Sequence, residues 1–143
     1  MEGPLKHEQT SALILKAFYQ VYSDLGYGFL ERVYENSLII AARGLGLRFE
    51  RQVPIRVHYQ GQVVGQYFAD LIAERAIIIE IKAARSIAAE HEAQLLNYLK
   101  STHYEVGLLL NFGPKAEFRR RILDNNRKGN LTWYHSNPCN KNQ

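Results

Sequence analysis

The sequence predicts an α/β domain, and three observations carry that prediction. Apolar residues recur at helical spacing from Glu8 to Arg43. β-Branched and aromatic residues then dominate from Phe49 to Lys82. A further helical stretch leads into a short continuous apolar run, Val106 to Phe112. A helix bridging two strands allows those strands to run parallel, so the expected architecture is a central mixed sheet flanked by helices.

Taken in order, Ile14, Ala17, Phe18, Val21, Tyr22 and Leu25 line one face of a helix over Glu8 to Leu25. Gly26-Tyr27-Gly28 ends it, because glycine tolerates the left-handed backbone of a helix C-terminus. A second helix, from about Leu30 to Arg43, points Val33, Leu38 and Ala41 to a core and stops at Gly44-Leu45-Gly46. Phe49 to Tyr59 and Gln62 to Ile72 form the arms of a hairpin around Gln60-Gly61, and Pro54 predicts an edge position for the first arm. A strand over Ala76 to Lys82, a helix from about Ala88 to Ser101 and the buried strand Val106 to Phe112 follow. Gly113-Pro114 breaks the chain. Glu117 to Arg121 reads as a basic turn able to meet phosphates, or simply a solvated one, and Leu131 to His135 as a last strand.

At 143 residues the chain has the size of one domain, able to bury about two-thirds of its unfolded surface. No repeat or linker divides it. The expectation is a single domain over 1–143, with its core at about 10–120 and a polar tail at about 136–143. A hydrophobic content of 46% with 22% charged residues is ordinary for a globular chain. The net charge of +4 permits a polyanionic partner without requiring one. Cys139 is the only cysteine, which excludes an intramolecular disulfide, and the five histidines offer no zinc spacing. The start lacks a basic and apolar leader, and no apolar run approaches the ~18 residues of a membrane span. A soluble cytoplasmic protein is expected.

The chemistry concentrates in Tyr67 to Lys82. Ile77, Ile79 and Ile81 share one face of the strand, while Ile78, Glu80 and Lys82 share the other, so two charges interrupt a side that otherwise looks buried. An isolated E-x-K is ordinarily an edge strand with a solvated face. Asp70 changes that reading. A turn at Glu74-Arg75 with an odd number of residues between the strands sets Asp70 opposite Glu80, about 5 Å apart at Cβ. Like charges so placed repel, and a divalent cation with its preference for hard oxygen ligands resolves the conflict. Glu31 and Glu35 share one face near a helix N-terminus, with Tyr34 beside them, and taken alone they form an exposed acidic face. His91, Gln94 and Tyr98, with Arg85 ahead of them, sit where they could face the carboxylates.

Asp70 followed by Glu80-Ile81-Lys82 resembles the D…(D/E)-x-K signature of the PD-(D/E)XK nuclease superfamily. Gly28-Phe29-Leu30-Glu31-Arg32-Val33-Tyr34 resembles the pattern naming the GxxExxY protein family, and Gln94-Leu95-Leu96-Asn97-Tyr98 resembles the Q-x-x-x-Y element of the superfamily's exonuclease branch. The likeness runs from about Thr10 to Arg120, with Ala69 in place of the proline of the superfamily's name.

The resemblance implies a restriction-endonuclease-like αβββαβ core with an extra N-terminal helix. It implies Mg²⁺ or Mn²⁺ held by Asp70, Glu80, the Ile81 carbonyl and a glutamate of the first core helix. Glu35 is favoured by its distance from the glycine that closes the helix and Glu31 by the family pattern, so both stay open. Lys82 would orient the attacking water, while Gln94, Tyr98, Tyr34 and His91 are the candidate substrate contacts. The expected activity is metal-dependent hydrolysis of nucleic acid, DNA first, with a homodimer or protein partner to supply selectivity. Two other readings remain: a non-catalytic module binding nucleic acid or protein on a nuclease fold, and a hydrolase of some other phosphoester.

Overall fold

The structure is a computed structural model that describes residues 6–129. Helices α1 (Glu8–Leu25) and α2 (Glu31–Arg43) precede strands β1 (Phe49–Tyr59), β2 (Gln62–Ala73) and β3 (Ile77–Lys82). Helix α3 (Ala89–Lys100) then crosses to β4 (Val106–Phe112) and β5 (Ala116–Ile122). The five strands form one sheet in the order β1-β2-β3-β4-β5. β3 and β4 are parallel and every other pair is antiparallel, so the sheet is mixed, and Pro54 lies on an edge strand as its missing N–H demands.

α1 and α2 cover one face. Ile14, Phe18 and Val21 of α1 and Tyr34, Leu38 and Ala42 of α2 pack on Ile77, Ile79 and Ile81 of β3 and on Leu108, Leu110 and Phe112 of β4. The Phe18 ring meets Phe112 edge-on at 4.8 Å, and Tyr34 stacks on it at 4.3 Å. The other face belongs to α3, whose Leu95, Tyr98 and Leu99 pack with Ile78 and Leu109. α3 approaches closely because position 107 is glycine: a Cβ there would lie 2.6 Å from Leu95 Cδ1. Each isoleucine of β3 is buried, and full burial of such a side chain contributes about 1.5–3 kcal/mol. This buried strand, paired on both sides, carries the E-x-K residues.

The basic stretch at 117–121 is a fifth strand rather than a turn. β5 pairs with β4 from Phe112↔Ala116 to Val106↔Ile122, and its arginines are taken up by partners within the fold. Arg119 and Arg121 bind Glu92 of α3, and Arg120 binds the Lys6 carbonyl and the Ser11 hydroxyl. The predicted strand Leu131 to His135 and the polar tail lie outside the described residues. Among those described, no helix is long and apolar enough to cross a membrane.

Candidate active site

The site is built by the tight connection between β2 and β3. Glu74 and Arg75 take left-handed backbone (φ 52° and 53°), and Glu74 Oε2 accepts the Arg48 N–H at 2.6 Å, fixing the turn. Three residues, 74–76, separate the strands, with pairs Ala73↔Ile77, Ile72↔Ile78 and Leu71↔Ile79. The same register carries Asp70 opposite Glu80. There the backbone ladder gives way to side chains: the Asp70 N–H donates to Glu80 Oε2 at 2.9 Å and the Ile81 N–H donates to Asp70 Oδ2 at 2.8 Å. On the other side of Asp70, Gln52 has a φ of 49° and is missing from the β1–β2 ladder. A non-glycine residue in that conformation costs about 1–3 kcal/mol and marks a local opening of the sheet around the aspartate.

Burial dominates the electrostatics. Glu80 is 4% exposed, and desolvation together with the Asp70 charge pushes its carboxyl up to about 8. Asp70 is raised too, chiefly by desolvation, then by Glu35 and Glu31, against the lowering effect of its bond from Ile81. Lys82, half-buried two residues along β3, is the cation that acts on both acids. The Tyr98 hydroxyl is likewise raised, by burial and then by Glu80 and Asp70, so α3 presents this tyrosine toward the pair.

The other candidates separate into those near the acids and those built into the scaffold. Glu31 is exposed at the start of α2, close enough for its charge to act on Asp70 and Glu80. Glu35 is buried one turn further on, its Oε2 3.2 Å from Arg51 Nη2, which also donates to Asn36 Oδ1 at 2.6 Å. Gln94 and Tyr98 line a groove of about 420 Å³ between α3 and the hairpin, with Tyr67 and Val57 on its far wall. Tyr34 is fully buried beneath the loop that precedes α2. His91 turns back on its own helix, where Nδ1 accepts the Ala88 N–H at 3.0 Å and satisfies a donor that α3 leaves without an intrahelical partner.

Two positioning residues, Asn111 and Arg51, escaped the sequence reading. Asn111 pairs with Lys82 in register, is fully buried, and grips Ala84 at both ends: Oδ1 accepts its N–H at 2.9 Å and Nδ2 donates to its carbonyl at 3.0 Å. Gly113 lets that segment close, since a Cβ there would lie 2.2 Å from the Ala84 carbonyl oxygen, and the Tyr22 hydroxyl donates to the Gly113 carbonyl at 2.7 Å. The lone asparagine in VGLLLNF was the available signal for the first. Arg51, the partner of Glu35, had none, because the contact spans sixteen residues.

A mixed sheet carrying opposed carboxylates and a lysine on its central strands, between two helices on one face and one on the other, is a restriction-endonuclease-like α/β fold. A sequence model of the PD-(D/E)XK nuclease superfamily matches residues 8–122, and the chain belongs to that superfamily. No curated protein matches it significantly. Among solved structures, one described as "Crystal structure of SSO0001" is 20% identical and covers 88% of this chain and 84% of its own, at a TM-score of 0.42.

Nucleases of this superfamily typically use divalent metals. Among the described residues no three His, Cys, Asp or Glu side chains converge closely enough to hold an ion by themselves. The donor set nonetheless fits Mg²⁺, which commonly takes one or two carboxylates and keeps several waters. Asp70 and Glu80 each spend one oxygen on a backbone amide of the other's strand, are both raised by burial, and are relieved by any cation bound between them.

Proposed function

We propose that this chain is a nuclease of the GxxExxY type that hydrolyses phosphodiester bonds in nucleic acid, DNA first, with Mg²⁺ or Mn²⁺ as cofactor. One observation carries the reading: a buried and a half-buried carboxylate oppose each other at the end of a ladder, both raised by desolvation, with one backbone N–H each and Lys82 to offset their charge. Burying like charges is costly and a purely structural role gives no return for it.

In this reading Asp70, Glu80 and the Ile81 carbonyl hold the cation. Of the helix glutamates, Glu35 is already balanced by Arg51, which favours Glu31 as the further carboxylate within reach. A divalent ion at such a site lowers the pKa of a bound water and offsets charge on the phosphate. Lys82 would orient the attacking water by hydrogen bonding and offset charge building on the phosphate oxygens. Gln94 and Tyr98 contact the strand backbone from α3, and Asn111 fixes the segment that follows Lys82. With the three arginines of β5 bound within the fold, few cations flank the acids, which supports a second copy or a partner protein as a source of affinity.

The test is cleavage of labelled linear duplex, single-stranded and branched DNA, and RNA, with Mg²⁺ or Mn²⁺ against EDTA and with Lys82→Ala alongside. Metal-dependent cleavage that disappears in the variant is expected. Cleavage of equal speed in Lys82→Ala would contradict the reading.

A further inference from the structure

The residues of the Gly28-to-Tyr34 motif form one device. Gly26 and Gly28 take φ of 67° and 115°, and the second value is open only to glycine at low cost. The buried Tyr34 hydroxyl uses both its capacities on the same loop: it donates to the Gly26 carbonyl at 2.8 Å and accepts the Phe29 N–H at 3.2 Å. Its ring is clamped in turn by Phe112. The loop is therefore braced from beneath, with the Phe29 ring edge-on to Tyr34 at 6.0 Å.

On this braced loop stand three large apolar side chains open to solvent in whole or part: Tyr27 is 61% exposed, Leu30 81%, and Phe29, one edge against Tyr34, 48%. They rim a cleft of about 660 Å³ whose other walls are Ala83, Ala84, Arg85 and Pro114. Glu31 lies in the same lining, and Ala83 directly follows Lys82, so the cleft opens beside the proposed catalytic acids. Its chemistry is aromatic and aliphatic, with the Arg85 guanidinium and the Glu31 carboxylate as its charged groups. Duplex and single strand both carry phosphates that call for cations, but only unpaired bases offer exposed flat faces, and these stack on aromatic side chains such as Tyr27 and Phe29.

We propose that the Tyr27 to Leu30 loop is a stacking prong for unpaired bases, and that the substrate is therefore a single-stranded or frayed nucleic acid rather than uninterrupted duplex. The proposal rests on the nuclease reading for its place beside the acids, but binding tests it without turnover. In Ca²⁺, fluorescence-detected binding is measured for a single-stranded DNA carrying 2-aminopurine, the RNA of the same sequence and the matching blunt duplex.

The native protein is expected to bind the single strand at least tenfold tighter than the duplex, with 2-aminopurine quenched by stacking. Tyr27→Ala/Leu30→Ala, both exposed and so compatible with folding, is expected to bring the ratio toward one. Tyr34→Phe, which releases the loop while keeping the ring, is expected to lower the ratio less. Leu30→Trp is expected to gain an emission that the single strand quenches. Equal binding of duplex by the native protein, or a ratio unmoved by the double substitution in a protein of unchanged melting temperature, would overturn the proposal. Whether DNA or RNA binds tighter names the strand. Cleavage reports on the other reading separately: a single-strand preference with no metal-dependent cleavage of any substrate would sink the nuclease reading and leave the prong standing.

Discussion

The two faces of α3 meet charge in opposite ways. Toward β5, Glu92 is held by Arg121 and, at 3.6 Å, by Arg119, so the acid of one element is neutralised by the bases of another. Toward the centre of the sheet, Glu80 is buried opposite the half-buried Asp70, and the fold offsets them with one backbone N–H each and with Lys82, while Glu31 and Glu35 add to the negative potential. A compensated pair fastens an element to its neighbour. An acidic pair that burial penalises is stabilised by any cation bound between its members. Under the proposed function, the same sheet separates charges that serve the fold from charges that serve a ligand.

The sharpest way to break this contrast is substitution within the pair. Glu80→Gln is expected to reduce metal-dependent cleavage by about 10³-fold or more while the metal-free protein melts no lower than the parent, because a neutral group replaces one that burial penalises. An unchanged rate, or a collapse of metal-free stability, would place Glu80 among the structural charges. Asn111→Ala is next. It removes both bonds to Ala84 and is expected to cost about 1–3 kcal/mol by denaturant unfolding, with a several-fold slower rate because the segment after Lys82 loosens.

The pH dependence sharpens the comparison further. Glu80 binds its proton more tightly in the folded protein, near pH 8, than in the unfolded chain, near 4.5. Protonation therefore stabilises the metal-free fold, fully below about pH 4.5, and that contribution is lost as the pH rises through 8. Melting scans in EDTA should show a downward slope across this window that Glu80→Gln flattens. The smallest effect is expected of Glu92→Gln. Its partners are more than one-third exposed, so the loss by denaturant unfolding should be at most about 1 kcal/mol, with little change in cleavage.

Most of the fold was legible because periodicity reports burial. β4 spans the same residues as its apolar run, and the parity of the three-residue turn foretold that Asp70 faces Glu80. β5 was not legible, since Arg119, Arg120 and Arg121 read as solvent-facing until Glu92, Ser11 and the Lys6 carbonyl are seen to receive them. Tyr34 stood in the motif as a candidate contact, but its place beneath the Gly26 to Phe29 loop depends on Phe112, far along the chain. Local spacing conveys which residues share a face. It does not convey which distant partner neutralises a charge or braces a loop.

The central claim is that Asp70 and Glu80 are held together for a divalent cation. Titration calorimetry with Mn²⁺, on the parent, Asp70→Asn and Glu80→Gln proteins at pH 7.5, tests it directly. Saturable binding in the parent that either substitution abolishes is the predicted result. Binding of equal strength in all three, or none in a folded parent, would contradict the account.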